Sequence, residues 1–189
     1  MSRLQIIVAS TRPGRMGPAI GDWMVRTAKD HGGHDDVELV DLAEVDLPFL
    51  DEPHHPARRR YTKQHTRDWS ATVSAADAFV FVTPEYNNSF NAPLKNALDY
   101  LHHEWRYKPV GFVGYGGTSS GTRAVAMLKP VVTTLKMTPV TEAVYVPLKQ
   151  CVVDGSFTPN EPLTGAAVAM LDELARMGGV LGSLREAAP

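Results

Sequence analysis

The sequence predicts an α/β fold, a doubly wound five-stranded parallel sheet in the order 2-1-3-4-5. Five short runs rich in Val, Ile and Phe recur along 189 residues, alternating with apolar residues at helical spacing. One of them, Ala78-Phe79-Val80-Phe81-Val82, is apolar without interruption, as a strand covered on both faces requires. The loops after the first, third and fourth runs are unusual in composition. In that strand order they leave neighbouring carboxyl ends, which border the switch-point crevice of an open sheet.

The first strand, Leu4 to Ala9, breaks into Ser10-Thr11-Arg12-Pro13-Gly14-Arg15-Met16-Gly17-Pro18, and Ile20, Trp23, Met24, Thr27 and Ala28 then recur as on a helix. Such a loop at a helix start offers backbone N–H groups, hydroxyls and guanidinium forks to one anion, as a phosphate monoester needs. An ordinary turn also favours Gly, Pro and Ser, but it gives Arg12 and Arg15 no task. Val37 to Leu42 is the second strand, and Arg67 to Ala76 a short helix with Trp69 and Val73 inward. After the third strand come Glu85, Tyr86, Asn87, Asn88, Ser89 and Asn91, more polar side chains than a plain connector uses. Pro93 then opens a helix expected to reach about Glu104, with Leu94, Ala97, Leu98 and Leu101 on one face. Its far end gathers Tyr100, His102, His103, Trp105 and Tyr107, an aromatic set expected to be covered by a second subunit or to fold back on its own sheet.

The fourth strand, Pro109 to Tyr115, opens into Gly116-Gly117-Thr118-Ser119-Ser120-Gly121-Thr122-Arg123. Gly117 to Gly121 fits the G-x-S-x-G elbow of a serine hydrolase, but all seven histidines precede Ser119, the last being His103, and that chemistry needs one after it. The spacing also fits a P-loop, yet Thr122-Arg123 stands where Lys-Ser/Thr must meet phosphate and magnesium. A glycine-rich backbone wall able to approach a flat ligand remains. Ala124, Leu128, Val131, Val132 and Leu135 form the next helix face, Thr138 to Val146 the fifth strand, and Asp154-Gly155-Ser156 a turn. Ala167, Met170, Leu171, Leu174 and Met177 mark the last helix, before an Ala187-Ala188-Pro189 end expected to fray.

The length suits one domain, 1–189, without repeat or linker. Lys and Arg total 19 against 21 Asp and Glu, a net charge of −2 without long blocks, which speaks against nucleic acid and anionic membranes as partners. Arg58-Arg59-Arg60 is the one basic cluster, read as a solvated loop or as the reader of a 2′-phosphate. His54-His55 and His102-His103 lack the spacing of a metal site, so no metal is expected. One cysteine, Cys151, and no leader pattern fit the cytoplasm. A cleft with an anion cradle, a tyrosine and amide edge and a glycine wall suits a phosphate tail carrying a planar ring.

Pro84-Glu85-Tyr86-Asn87-Asn88-Ser89, Leu94-Lys95-Asn96-Ala97-Leu98-Asp99 and Ser10-x-Arg12 together resemble the NAD(P)H-dependent FMN reductases of flavodoxin-like fold, which include quinone, chromate and azo-dye reductases. The resemblance spans nearly the whole chain. It implies that Ser10 and Arg12, with Arg15, Met16 and Gly17, hold the FMN phosphate. It further implies that Pro84, Glu85, Tyr86, Asn87 and Asn88 border the ring and ribityl chain, and that Gly116 and Gly117 face the ring from the other side. Arg15 and Gly17 stand where many relatives have Ser and Asn. The implied chemistry is hydride transfer from NADPH or NADH through FMN to a small electron acceptor, with no protein acid, base or nucleophile. The implied assembly is a homodimer or homotetramer. A non-catalytic flavodoxin-type carrier is the alternative, although such carriers gain from an acidic docking face that a charge of −2 hardly supplies.

Overall fold

The computed structural model describes residues 2–186; Met1 and the Ala187-Ala188-Pro189 end lie outside the described residues. Strands β1 (Arg3–Val8), β2 (Asp36–Asp41), β3 (Ala78–Pro84), β4 (Pro109–Gly116) and β5 (Thr138–Pro147) form one parallel sheet in the order β2-β1-β3-β4-β5. Helices α1 (Gly17–His31), α2 (Leu42–Val45), α3 (Gln64–Ser74), α4 (Ala92–Asp99), α5 (Thr122–Thr134), α6 (Leu148–Cys151) and α7 (Glu161–Glu186) connect and cover it. This is the flavodoxin-like α/β fold that the alternation of strand and helix patterns predicts.

Every residue of β3 and β4 is buried, and successive side chains enter opposite cores. Ala78, Val80 and Val82 pack with α1 and α7, through Ile20, Met24, Met170 and Leu174. Phe79 and Phe81 pack with α3, α4 and α5, through Trp69, Leu98, Val125 and Leu128. Two covered faces explain why the third strand reads as an unbroken apolar run.

The helix after β3 is shorter than its pattern suggests. It stops at Asp99, and His103–Trp105 is a separate 3-10 turn. Two indoles meet its end: Trp69 Nε1 donates to Ala97 O at 2.9 Å and Trp105 Nε1 donates to Leu98 O at 3.2 Å, so carbonyls near the helix end are satisfied sideways. Trp105 is 1% exposed, with its ring centroid 5.1 Å from Phe79, and Tyr100 is fully buried. Tyr100 and Trp105 therefore fold back on their own sheet, so Trp105 is not available to a second subunit, while His102, His103 and Tyr107 stay half-buried at the surface. A two-stranded hairpin, β6 (Val152–Val153) with β7 (Ser156–Phe157), was legible only as its turn. Asp154 and Gly155 both take positive φ there, as a two-residue hairpin loop requires.

Candidate functional site

Parallel strands end together, so the loops after β1, β3 and β4 meet at one edge of the sheet. The β1 loop is held from within. Arg15 donates through Nη1 and Nη2 to the two carboxylate oxygens of Asp41, both at 2.7 Å, and through Nη1 to Ser10 O at 2.6 Å. Asp41 ends β2 and also accepts from Ala43 N at 3.0 Å, capping α2. The pairing raises the Arg15 pKa further above its ordinary value. Arg15 thus has a structural task that its sequence position does not disclose, while Arg12 is exposed on the same loop.

Ser10 is fully buried, and its Oγ makes no well-formed hydrogen bond. It faces the start of α1, where a Cβ added to Gly17 would fall 2.2 Å from that Oγ and 3.2 Å from the Tyr115 hydroxyl. Only glycine lets the helix start approach this closely. No side chain caps α1 at Met16, and Pro18 supplies no N–H, so the Gly17 and Ala19 N–H groups are left as helix-terminal donors. A buried hydroxyl held only loosely by the Tyr115 hydroxyl, free amides at a helix N-terminus and an exposed guanidinium match the donor set of a phosphate group.

The β3 loop turns on Asn87 and Asn88, whose φ values of 50° and 67° suit asparagine in a two-residue turn. Tyr86 and Ser89 close that turn with reciprocal backbone bonds of 2.9 and 3.0 Å. Glu85 links this loop to the next: its side chain is 6% exposed and accepts from the Ser119 hydroxyl and, at 3.1 Å, from Arg123 N. Arg123 Nη1 also donates to Asn88 Oδ1 at 2.6 Å. Ser119 therefore donates to a carboxylate rather than to an imidazole, which removes the hydrolase reading. Asn91 donates to Ala9 O at 2.6 Å and ties the β3 loop to the end of β1.

A cleft of about 170 Å³ lies between these loops, lined by Arg12, Arg15, Met16, Pro84, Glu85, Tyr86, Gly116 and Gly117, with Tyr115 and Leu148. Of the remaining residues nominated from the sequence, Ser10 and Gly17 lie beneath the Tyr115 hydroxyl at the end of β1 and the start of α1, outside the cleft lining, and Asn87 and Asn88 form the neighbouring turn. Burial pushes the Tyr115 hydroxyl up to about 12, so it stays protonated beside the cradle. Tyr115, Leu148, Asn91, Ser119 and Arg123 were not nominated. Tyr115 reads as a strand residue, and the others act through contacts made only in the folded chain.

Residues 2–150 match the family described as NADPH-dependent FMN reductase. The chain belongs to that family. An NAD(P)H-dependent FMN reductase of Schizosaccharomyces pombe is 38% identical over 191 residues, covering 99% of this chain and 92% of the relative. An FMN-dependent NADPH-azoreductase of Staphylococcus haemolyticus is 33% identical over 131 residues, 69% of each chain. Among solved structures, a flavoenzyme NAD(P)H:(acceptor) oxidoreductase of Paracoccus denitrificans superposes with a TM-score of 0.74 at 20% identity, covering 95% of this chain and 98% of that one, which shows a shared fold. The FMN reductase assignment makes the chain an oxidoreductase dependent on FMN and NAD(P)H.

Proposed function

We propose that residues 1–189 form one flavodoxin-like domain that passes hydride equivalents from NADPH or NADH through FMN to a quinone, free flavin, azo compound or metal oxyanion. One observation carries the reading: three loops converge on a cleft lined by Arg12 and the Tyr115 hydroxyl, beside the buried Ser10 hydroxyl and the free amides that start α1. Bound FMN supplies the hydride chemistry. The chain's own residues bind and orient. Ser10, Gly17 and Arg12 receive the phosphate, with Arg15 and Asp41 fixing the loop and Met16 beside it. Pro84 to Asn88 border the ring and ribityl chain, and Gly116 and Gly117 allow close approach from the other side. Tyr86, 37% exposed, shapes the acceptor space.

The partners are small molecules, and among the described residues no helix is long and apolar enough to cross a membrane. A single buried thiol, Cys151, supports a reducing cytoplasm. A homodimer or homotetramer is supported by Phe49, 84% exposed, beside Leu50 at 42%. Phe49 borders a cavity of about 400 Å³ against Pro93 and Asn96 of α4, so the interface falls at the start of this helix and not at Trp105.

FMN added to the apoprotein is expected to lose fluorescence at one equivalent, NADPH or NADH to bleach the flavin absorbance, and a quinone to restore it. A protein that binds FMN but takes electrons only from a partner reductase would be a carrier.

A further inference from the structure

A second cleft, of about 480 Å³, opens at the opposite edge of the sheet, beside Ser74 at the end of α3 and Lys108 just before β4. The eight residues of β4, at about 3.3 Å each, place it roughly 26 Å from Gly116. Four cations line it: Arg59, Arg106, Lys108 and Arg185. Arg185 is committed, its Nη2 to Asp77 Oδ1 at 2.7 Å and its Nη1 to Tyr107 O at 3.1 Å. Among the described residues the other three form no salt bridge.

Lys108 is the strongest sign that this is more than a solvated basic face. It is 5% exposed, its ammonium donates to the carbonyls of Val73 at 2.7 Å and Ser74 at 3.3 Å with the Phe79 ring 5.5 Å away, and Asp77 and Glu104 act on it without forming a salt bridge among the described residues. A lysine is almost never this buried without a counter-charge. Arg106 adds a buried Nε that has no partner. Glu104 is the one carboxylate in the lining, and it is already satisfied by the Tyr61 hydroxyl at 2.9 Å, Ser70 Oγ at 2.8 Å and His102 N at 3.3 Å. Set against one cation, it leaves two uncompensated.

The surrounding groups register that excess. Burial and the nearby Arg185 hold the Lys108 ammonium down to about 8, and the Tyr107 hydroxyl is lowered by Arg106 and Lys136. Tyr107 is also strained, with φ at 57°, a region a bulky side chain rarely occupies, and its N–H donates to Lys136 O at 2.8 Å. Tyr61 and Tyr107 give the cleft two aromatic walls, and its volume lies within the range of small-molecule sites.

We propose that this cleft binds a phosphorylated small molecule, its phosphoryl group held by Arg59, Arg106 and Lys108 and its organic body between Tyr61 and Tyr107. Nothing in the hydride reaction requires it, since the nicotinamide and acceptor work at the other edge of the sheet.

The test uses FMN-saturated protein at low salt, so that the flavin phosphate cradle is filled, with calorimetric titration of ADP, inorganic pyrophosphate and adenosine. ADP is expected to bind at one equivalent, pyrophosphate more weakly, and adenosine undetectably. Arg59→Asn, chosen because asparagine tolerates the left-handed φ of 51°, and Arg106→Gln are each expected to weaken ADP about tenfold or more. NADPH bleaching should be unchanged in both, because Arg59 lines this distant cleft and none of Arg58 to Arg60 lines the cleft between the β1, β3 and β4 loops, which sets aside the triplet as reader of a 2′-phosphate there. No saturable ADP binding, or ADP binding that both variants leave unaltered, would overturn the site. Equal affinity for ADP and pyrophosphate would overturn the organic body.

Discussion

Arg12 and Arg15 share one loop and one charge, yet their surroundings separate them. Arg15 is fixed by Asp41, so removing it leaves a part-buried carboxylate without its cation and loosens the loop. Arg12 carries no such load, and Arg12→Ala is expected to weaken FMN by roughly 1.5–3 kcal/mol, the worth of a charged hydrogen bond, with little change in unfolding free energy. Fluorescence quenching and denaturant melts on the same samples check both halves. Lys108 gives a pH signature. Its folded value of about 8 lies below the ordinary 10.5, so above pH 8 the folded chain releases a proton that the unfolded chain keeps. Stability from this group must then rise with pH, by roughly 2 kcal/mol between about pH 7.5 and about pH 9.5. Denaturant unfolding at the two values should show the rise, and Lys108→Met should flatten it.

At the level of elements, the loops after β3 and β4 behave as one unit because Glu85 holds both. Glu85→Gln keeps the shape but weakens acceptance from Ser119 Oγ and Arg123 N, so FMN affinity and the rate of flavin bleaching should both fall several-fold, about the difference between a charged and a neutral acceptor. Stopped-flow absorbance separates the two effects, and unchanged bleaching at saturating FMN would show that the loops hold their positions without the carboxylate. The end of α4 makes a second case. Trp105 packs against Trp69, Phe79 and Phe81, so Trp105→Glu buries a charge and is expected to cost more than about 3 kcal/mol, enough to unfold much of the protein. A well-folded Trp105→Glu protein on thermal melting would contradict that packing.

For the whole molecule, the sheet assigns different chemistry to its two edges. The carboxyl ends of β1, β3 and β4 gather the loops proposed to hold FMN, and the amino end of β4 carries the cationic cleft. Assembly is a separate matter, resting on exposed apolar surface near α4. Light scattering is expected to give a dimer or tetramer for the parent protein and a smaller species for Phe49→Asp, whose side chain has almost no intrachain packing to lose.

The strand order, both cores and most of the lining of the cleft between the β1, β3 and β4 loops were legible because they depend on local pattern. Apolar runs such as Ala78 to Val82 can only be covered strands, and loops after parallel strands must meet at one edge. The Ser10-x-Arg12 and Pro84 to Ser89 segments are contiguous, so their composition announces their chemistry. What tertiary structure alone decided are pairings between residues distant in the chain. Arg15 meets Asp41, Glu85 meets Ser119 and Arg123, and the indoles of Trp69 and Trp105 meet the end of α4. The same holds for the cleft at Lys108, whose cations come from segments as far apart as Arg59 and Arg185. A charge carries no mark in sequence of whether a counter-charge will reach it; the fold brings Asp41 into a salt bridge with Arg15, and among the described residues no carboxylate forms one with Lys108.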